Sequence, residues 1–320
     1  MSRPMLGERK CCRGATGRTI PSQPLRAAED VSQELFSRQV GCKISVSFHS
    51  AGLELDLSRR LHGQHLAKDV ILKAVQGFLE TPQSEKALAL SFHGWSGTGK
   101  NFVARMIADH LYRDGLKSEC VKVFISLFHF PHPKYVDLYK VQLKKQISEM
   151  VQLCKQSLFI FDEAEKLHSG LLDAIKPYVD HYDSIDGVDY RSSIFLFLSN
   201  TGGNIINQVT LDFWRAGRAR EEITMEYLDA LVALVFIADG GFAHSHLLQE
   251  NLIDFFVPFL PLENHHVKLC VRDAFLARGL PYTEEVLDEV VRMMVFIPEE
   301  KLFSAQGCKS VSHRINYFLP

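Results

Sequence analysis

Three short stretches hold residue types whose spacing suits phosphate chemistry. The first is Gly94-Trp95-Ser96-Gly97-Thr98-Gly99-Lys100-Asn101, which follows the apolar run Leu88-Ala89-Leu90-Ser91-Phe92 and leads into helix-forming sequence. Its glycines let the backbone turn tightly and aim N–H groups inward, while Lys100 supplies a mobile point charge for the β and γ phosphates of a nucleotide. Residues 101–112 have helical apolar spacing, so bound phosphates would also meet a helix N-terminus. The pattern G-x-x-x-x-G-K is complete. One position departs from it: Asn101 stands where Ser or Thr would offer a hydroxyl to Mg²⁺. A chance match is the bland alternative, and the sequence downstream lowers its weight.

The second stretch is Leu158-Phe159-Ile160-Phe161-Asp162-Glu163. An apolar strand that ends in two carboxylates delivers them to the edge where ligands of open α/β sheets bind. In nucleotide chemistry the first, Asp162, holds Mg²⁺, and the second, Glu163, polarises the attacking water. A lone Asp-Glu is often only a solvated turn, but here it follows the phosphate loop by one strand and one helix. The third stretch repeats the pattern, with an apolar strand at 193–198 ending in Ser199-Asn200-Thr201-Gly202-Gly203. Asn200 would orient the water or touch the γ phosphate there; the competing reading is a turn residue that starts the next helix.

These residues need a framework. The segment 54–78 is amphipathic at helical spacing, 121–127 reads as a strand buried on both faces, 135–153 as a helix, 223–237 as another, and 256–261 as a last short strand. Strands separated by helices imply crossovers and a parallel sheet. Helical patterns at 264–278 and 284–294, and a last helix opened by Gln306-Gly307-Cys308-Lys309, imply a small all-helical domain at the C-terminus. The expected fold class is α/β, with a tail at 1–45, a nucleotide-binding domain at 46–257 and the helical domain at 258–320. With 320 residues, 46% of them hydrophobic, the chain can bury a substantial core. A net charge of -2 leaves no basic footprint for nucleic acid. No apolar run is long enough to span a bilayer. The 7 cysteines are too scattered for a disulfide scaffold and contain no C-x-x-C pair, so they leave the redox compartment open.

Together, a phosphate loop, an Asp-Glu strand end, a polar strand end and a helical C-terminal domain resemble a Clp-related AAA+ ATPase. The phosphate loop with its Asn101, the run 158–163, Phe256-Val257-Pro258-Phe259-Leu260-Pro261-Leu262 and Gly307-Cys308-Lys309 closely resemble the torsin family. Ala164-Glu165-Lys166 and the ending Arg314-Ile315-Asn316-Tyr317-Phe318-Leu319 look most like its third vertebrate subgroup. The resemblance implies ATP and Mg²⁺ as ligands. It makes Lys100 the phosphate ligand, Asp162 with Asn101 the metal side, Glu163 the base, Asn200 the first sensor and Lys309 the second. It places Gly63-Gln64-His65 near the adenine, with Gln64 as a binding residue, and pairs Cys270 with Cys308 in a disulfide beside the second sensor. It also implies self-association and weak activity that rises when the luminal domain of a membrane-anchored activator, of the lamina-associated polypeptide 1 type, supplies an arginine finger. The implied task is remodelling of membranes or protein complexes in the endoplasmic reticulum or nuclear envelope lumen.

Two features pull away from that picture. Residues 1–30 carry neither the hydrophobic signal nor the anchor with which family members begin, so a cytoplasmic form is the alternative. Asn101 and the lack of an evident finger favour a second function class, a nucleotide-gated binding module with little or no turnover, whereas Glu163 favours the enzyme. Arg215, Arg218 and Arg220 include a candidate finger, but with Glu221 and Glu222 they read more simply as a charged helix end.

Overall fold

The computed structural model describes residues 50–228, 245–297 and 301–318, all within the unit Val46–Pro320. The expected tail at 1–45 and residues 229–237 of the helix expected at 223–237 lie outside the described residues; Met225 to Leu228 of that helix are helical.

Helix α1, Ser50–Arg60, buries Leu53 and Leu57, one turn apart. The chain then turns through Gly63 and continues as α2, His65–Glu80. The single amphipathic stretch expected at 54–78 is therefore two helices. Gly63 has φ +66, and a Cβ there would lie 2.7 Å from the His266 ring, so no other residue makes this turn without displacing that ring. Next come β1, Leu88–His93, α3, Lys100–Leu111, β2, Val121–Ile125, and α4, Val136–Leu153. They are followed by β3, Leu158–Asp162, α5, Ser169–Val179, β4, Ile194–Ser199, α6, Gly203–Arg215, and β5, Phe255–Pro258. The five strands are parallel in the order β2-β3-β4-β1-β5.

The strand sequences explain the layers. Leu88, Leu90 and Phe92 of β1 share one face with Leu158, Ile160, Ile194, Leu196 and Leu198, against α1, α2 and α3. Ala89, Phe159, Phe161, Phe195 and Phe197 face the other way, against α4, α5 and α6. On that second face the rings stack across strands, Phe124 on Phe161 at 4.9 Å, Phe161 on Phe197 at 5.2 Å and Phe159 on Phe195 at 4.8 Å. Each such ring contributes about 1.5–3 kcal/mol by burial, and a one-residue slip would turn every side chain to the wrong layer. Strand β2 is shorter than the expected 121–127 and is not buried on both faces. It lies at the sheet edge, Ile125 is 40% exposed, and Ser126–His129 form one helical turn.

After β5 a third core gathers Leu262, Val267, Val271, Phe275, Leu287, Val290 and Ile315. Its elements are α7, Asn264–Ala277, α8, Glu284–Arg292, and α9, Val311–Arg314, which runs on as a 3-10 turn, Ile315–Phe318. This part is helical as expected, with one addition: β6, Phe296–Ile297, pairs antiparallel with β7, Phe303–Ser304. Its last helix opens at Val311, because Gln306 to Ser310 form a turn. Among the described residues no helix is long and apolar enough to cross a membrane.

Candidate active site

Parallel register brings the three polar strand ends to one edge: His93 pairs with Ser199, and Asp162 with Leu198. There, with the turn before α9, they border a cavity of about 590 Å³, a size ordinary for a small-molecule site. Ser96 to Asn101, Asp162, Glu163, Asn200, Cys270, Cys308 and Lys309 all line it.

The phosphate loop is docked backbone to backbone on the C-terminal turn. Gly97 has φ +77, a Cβ on it would strike the carbonyl oxygen of Gln306, and Gly97 O accepts from Cys308 N at 3.0 Å. Lys100, 6% exposed, donates to Gly94 O at 2.6 Å, Trp95 O at 2.8 Å and Asn200 Oδ1 at 3.0 Å. These use all three of its protons, so a phosphate takes Lys100 by exchange. Burial pulls its pKa down to about 8, against the opposite pull of Glu165 and Asp162, with Lys309 adding to the lowering.

Asn101 donates from Nδ2 to Asp162 Oδ2 at 2.7 Å. The amide nitrogen is thus the group that faces that carboxylate. Among the described residues no three His, Cys, Asp or Glu form a cluster fit to hold a metal. The donor set suits Mg²⁺, which binds through one or two carboxylates together with substrate phosphates. Glu163 has φ 55, a left-handed conformation costly for a residue with a Cβ, and its N–H bonds to Asp162 Oδ1 at 3.0 Å. The strand therefore ends abruptly, with both acids beside the cavity.

Asn200 donates from Nδ2 to Glu165 Oε1 at 3.0 Å. Glu165, on the turn Ala164–Lys166, was not singled out as a site residue from sequence; a third acid two positions beyond Glu163 is the signal that was there. Also missed were His62 and Asp273, which line the cavity and bond at 2.6 Å, and Arg60, which lines it too.

Three expected binding residues stand behind the wall. Gln64, 1% exposed, spends its amide on Thr98 O, Leu260 O and Leu260 N, so it staples the phosphate loop to the end of β5 and does not face the cavity. Trp95 donates to Asn204 Oδ1 at 2.8 Å, and Gly94 packs on Phe259. The Cys270–Cys308 bond is formed, with Cα atoms 6.2 Å apart. A second bond, Cys120–Cys154, was not anticipated; these cysteines precede the neighbouring strands β2 and β3 and so come together at the sheet's other end. Arg215, Arg218 and Arg220 do not line the cavity. Arg220 is buried and donates to Gly63 O at 2.6 Å and Glu263 Oε1 at 3.2 Å, while Arg218 lies 4.1 Å over the Phe213 ring.

Comparison with known proteins bears on the family and the fold. The family model described as Torsin matches residues 35–161, and that of the torsin-1A C-terminal domain matches residues 262–318. Torsin-3A of Homo sapiens is 62% identical over 283 residues, 87% of this chain and 70% of that protein. Torsin-3A of Rattus norvegicus is 59% identical over 87% of this chain and 71% of its own length. Among solved structures, the S. cerevisiae Hsp104-ADP complex superposes with a TM-score of 0.62 at 19% identity, over 89% of this chain and 50% of that one. Hsp104 with ATPγS and FITC casein gives 0.61, over 84% and 46%. The chain thus spans about half of an Hsp104 chain, and at that identity the likeness speaks for the fold alone, an AAA+ sheet with flanking helices. Two family models and this level of identity across most of its length establish that the chain belongs to the torsin family.

Proposed function

We propose that this protein hydrolyses ATP slowly by itself and is switched on by a partner that supplies an arginine. The observation that carries the reading is the convergence of Lys100, Asp162, Glu163, Asn200 and Lys309 on one cavity, each in a position suited to a separate task. The loop N–H groups and Lys100 bind the β and γ phosphates. Asp162 and Asn101 would hold Mg²⁺, which when bound would neutralise developing phosphate charge. Glu163 accepts a proton from the attacking water, and Asn200 and Lys309, which line the same cavity, serve as the first and second sensors of the nucleotide's state.

Among the described residues the arginine that lines the cavity is Arg60, and it is held by Asp56 at 3.4 Å and lies 5.2 Å over the Phe102 ring. Arg220 is committed to Gly63 and Glu263, and Arg218 to Phe213 and Glu222. A finger supplied by another protein is worth about 10³ to 10⁵ in rate, roughly 4–7 kcal/mol of barrier, which neither Lys100 nor Asn200 is placed to replace. The activator we propose is the luminal domain of a membrane-anchored protein of the lamina-associated polypeptide 1 type, acting on self-associated subunits. Two disulfides suit an oxidising compartment and so support the lumen of the endoplasmic reticulum or nuclear envelope, with remodelling of protein or membrane complexes as the task. The rival reading, a nucleotide-gated binding module, draws on Asn101, whose amide is partly engaged by Asp162.

The deciding experiment is ATP turnover with and without that activator domain. Strong stimulation that is lost when the activator's arginine is replaced supports the enzyme. Bound ATP that survives unchanged in the presence of the activator supports the binding module.

A further inference from the structure

Asn200 is held from two sides. Its Oδ1 accepts from the Lys100 ammonium at 3.0 Å, and its Nδ2 donates to Glu165 Oε1 at 3.0 Å. An ammonium has only donors and an ionised carboxylate only acceptors, so both neighbours dictate the same orientation of the amide. Turned over, it would set a donor against Lys100 and an acceptor against Glu165.

Glu165 also offsets part of the burial of the Lys100 charge, the other group that holds Asn200. It does not line the cavity, whereas Asn200 does. Its second oxygen, Oε2, is buried and has no hydrogen-bond partner among the described residues. A buried carboxylate oxygen without a partner is costly and calls for an explanation. The turn that carries it is firm: Lys166 N bonds to Glu163 O at 2.8 Å and Leu167 N to Ala164 O at 3.1 Å. Glu163 begins the same turn, so the proposed base and the group that sets Asn200 move as one unit.

We infer that Glu165 is a positioning residue that locks the Asn200 amide with its oxygen toward the cavity, making Asn200 an acceptor for the attacking water and not a donor to the γ-phosphate. The inference rests on the ATPase reading for its consequence, though not for its geometry. A water facing two acceptors, Glu163 and Asn200 Oδ1, points both protons away from phosphorus and a lone pair toward it. Its oxygen then forms the new P–O bond, and the bond from phosphorus to the β–γ bridging oxygen breaks, with the electron pair leaving on ADP. One water proton passes to Glu163; the other, hydrogen-bonded to Asn200 during attack, leaves with the phosphate product. With the amide reversed, Nδ2 would bind the γ-phosphate and the water would lose one of its two guides.

The test compares Glu165→Leu, which removes the acceptor at similar size, with Glu165→Gln, which keeps one. In protein without added nucleotide, the Asn200 side-chain amide is followed by NMR in asparagine-labelled samples and assigned by its disappearance in Asn200→Ala. The signal and its slow hydrogen exchange persist in Glu165→Gln, and exchange quickens at least about tenfold in Glu165→Leu. An Asn200 amide indifferent to both substitutions overturns the inference. ATP and ADP affinities are then measured by displacement of a fluorescent nucleotide in a Glu163→Gln background, where bound ATP persists. Glu165→Leu tightens ATP relative to ADP by about 3- to 10-fold, the yield of one added hydrogen bond. With Glu163 present, it lowers activator-stimulated kcat about tenfold or more without raising KM. Glu165→Gln stays near the wild type in both assays. Equal weakening of ATP and ADP by Glu165→Leu marks a merely structural role and overturns the claim. Asn200→Ala supplies an independent arm, because an acceptor-only Asn200 loses no ATP affinity when truncated and a donor loses it selectively over ADP. If the wild type shows no turnover with the activator, the ATPase reading falls while the amide signal still decides the orientation.

Discussion

Replacing Arg220 with alanine separates a structural arginine from a catalytic one. The guanidinium is 7% exposed and makes three bonds: Nε and Nη2 to Gly63 O at 3.1 and 2.6 Å, and Nη1 to Glu263 Oε1 at 3.2 Å. Burial draws its pKa down to about 10, with Glu263 pulling the other way, so the charge remains at neutral pH. Truncation leaves Glu263, itself only 19% exposed, without its partner, and frees the Gly63 turn that joins α1 to α2. Breaking a buried pair from one side costs about 3–5 kcal/mol. For a chain of this size each kcal/mol lowers Tm by about 2–4 °C, so Arg220→Ala should melt roughly 10 °C below the wild type. Thermal and urea unfolding followed by tryptophan fluorescence gives the number. Changing Arg220 and Glu263 to leucine together should recover much of the loss, because no lone charge is then left behind. A variant with unchanged unfolding but collapsed turnover would refute the reasoning and make Arg220 a finger.

The Cys270–Cys308 bond closes a loop of 38 residues and is worth about 4 kcal/mol by the chain-entropy model. Cys308→Ser should lower Tm and also change ATP and ADP affinity, because both cysteines line the cavity beside Lys309; equal affinities for this variant and the oxidised protein would break the link to nucleotide. Gly97→Ala should weaken nucleotide binding at least about tenfold, since its Cβ meets the Gln306 carbonyl and its φ is +77, a left-handed geometry costing about 1–2 kcal/mol; unchanged binding in a nucleotide titration would count against the docked loop. His266, 5% exposed, accepts from Glu263 N, and burial first, then the charges of Arg220 and its neighbours, hold its pKa down to about 2. The folded value lies below the unfolded 6.5, so the unfolded chain takes up a proton that the native ring refuses. This contribution is complete above pH 6.5 and is lost as pH falls, by about 2 kcal/mol between pH 6.5 and 5. Urea unfolding of the wild type and His266→Phe across that range should show the difference, and parallel pH slopes would contradict it.

Much of the site was legible because its chemistry is local. The run from Leu88 through Lys100 carries strand, turn and charge together, and Asp162, Glu163 and Asn200 each follow an apolar strand directly. What was not legible depends on partners distant in sequence. Gln64 looks like a ligand residue beside the nucleotide until Leu260, 196 positions away, claims its amide. Glu165 gains meaning only once β3 and β4 lie side by side, and His62 only once α7 brings Asp273 to it. Strand β2 reads as buried on both faces because Val121, Val123, Phe124 and Ile125 alternate little with polar residues, but its place at the sheet edge is set by crossovers that composition does not report. Helix α5, which carries Pro177 in its last turns, and the two-residue strands β6 and β7 were too weakly patterned to be read.

In the proposed reaction Glu163 activates the water that cleaves the ATP held by Lys100. Single-turnover cleavage of pre-bound ATP, measured with the activator domain for the wild type and for Glu163→Gln, tests it most directly. The wild type should convert its bound ATP to ADP, and Glu163→Gln should bind ATP as tightly yet keep it intact. Equal cleavage by both proteins, or loss of ATP binding in Glu163→Gln to the level of Lys100→Ala, would contradict it.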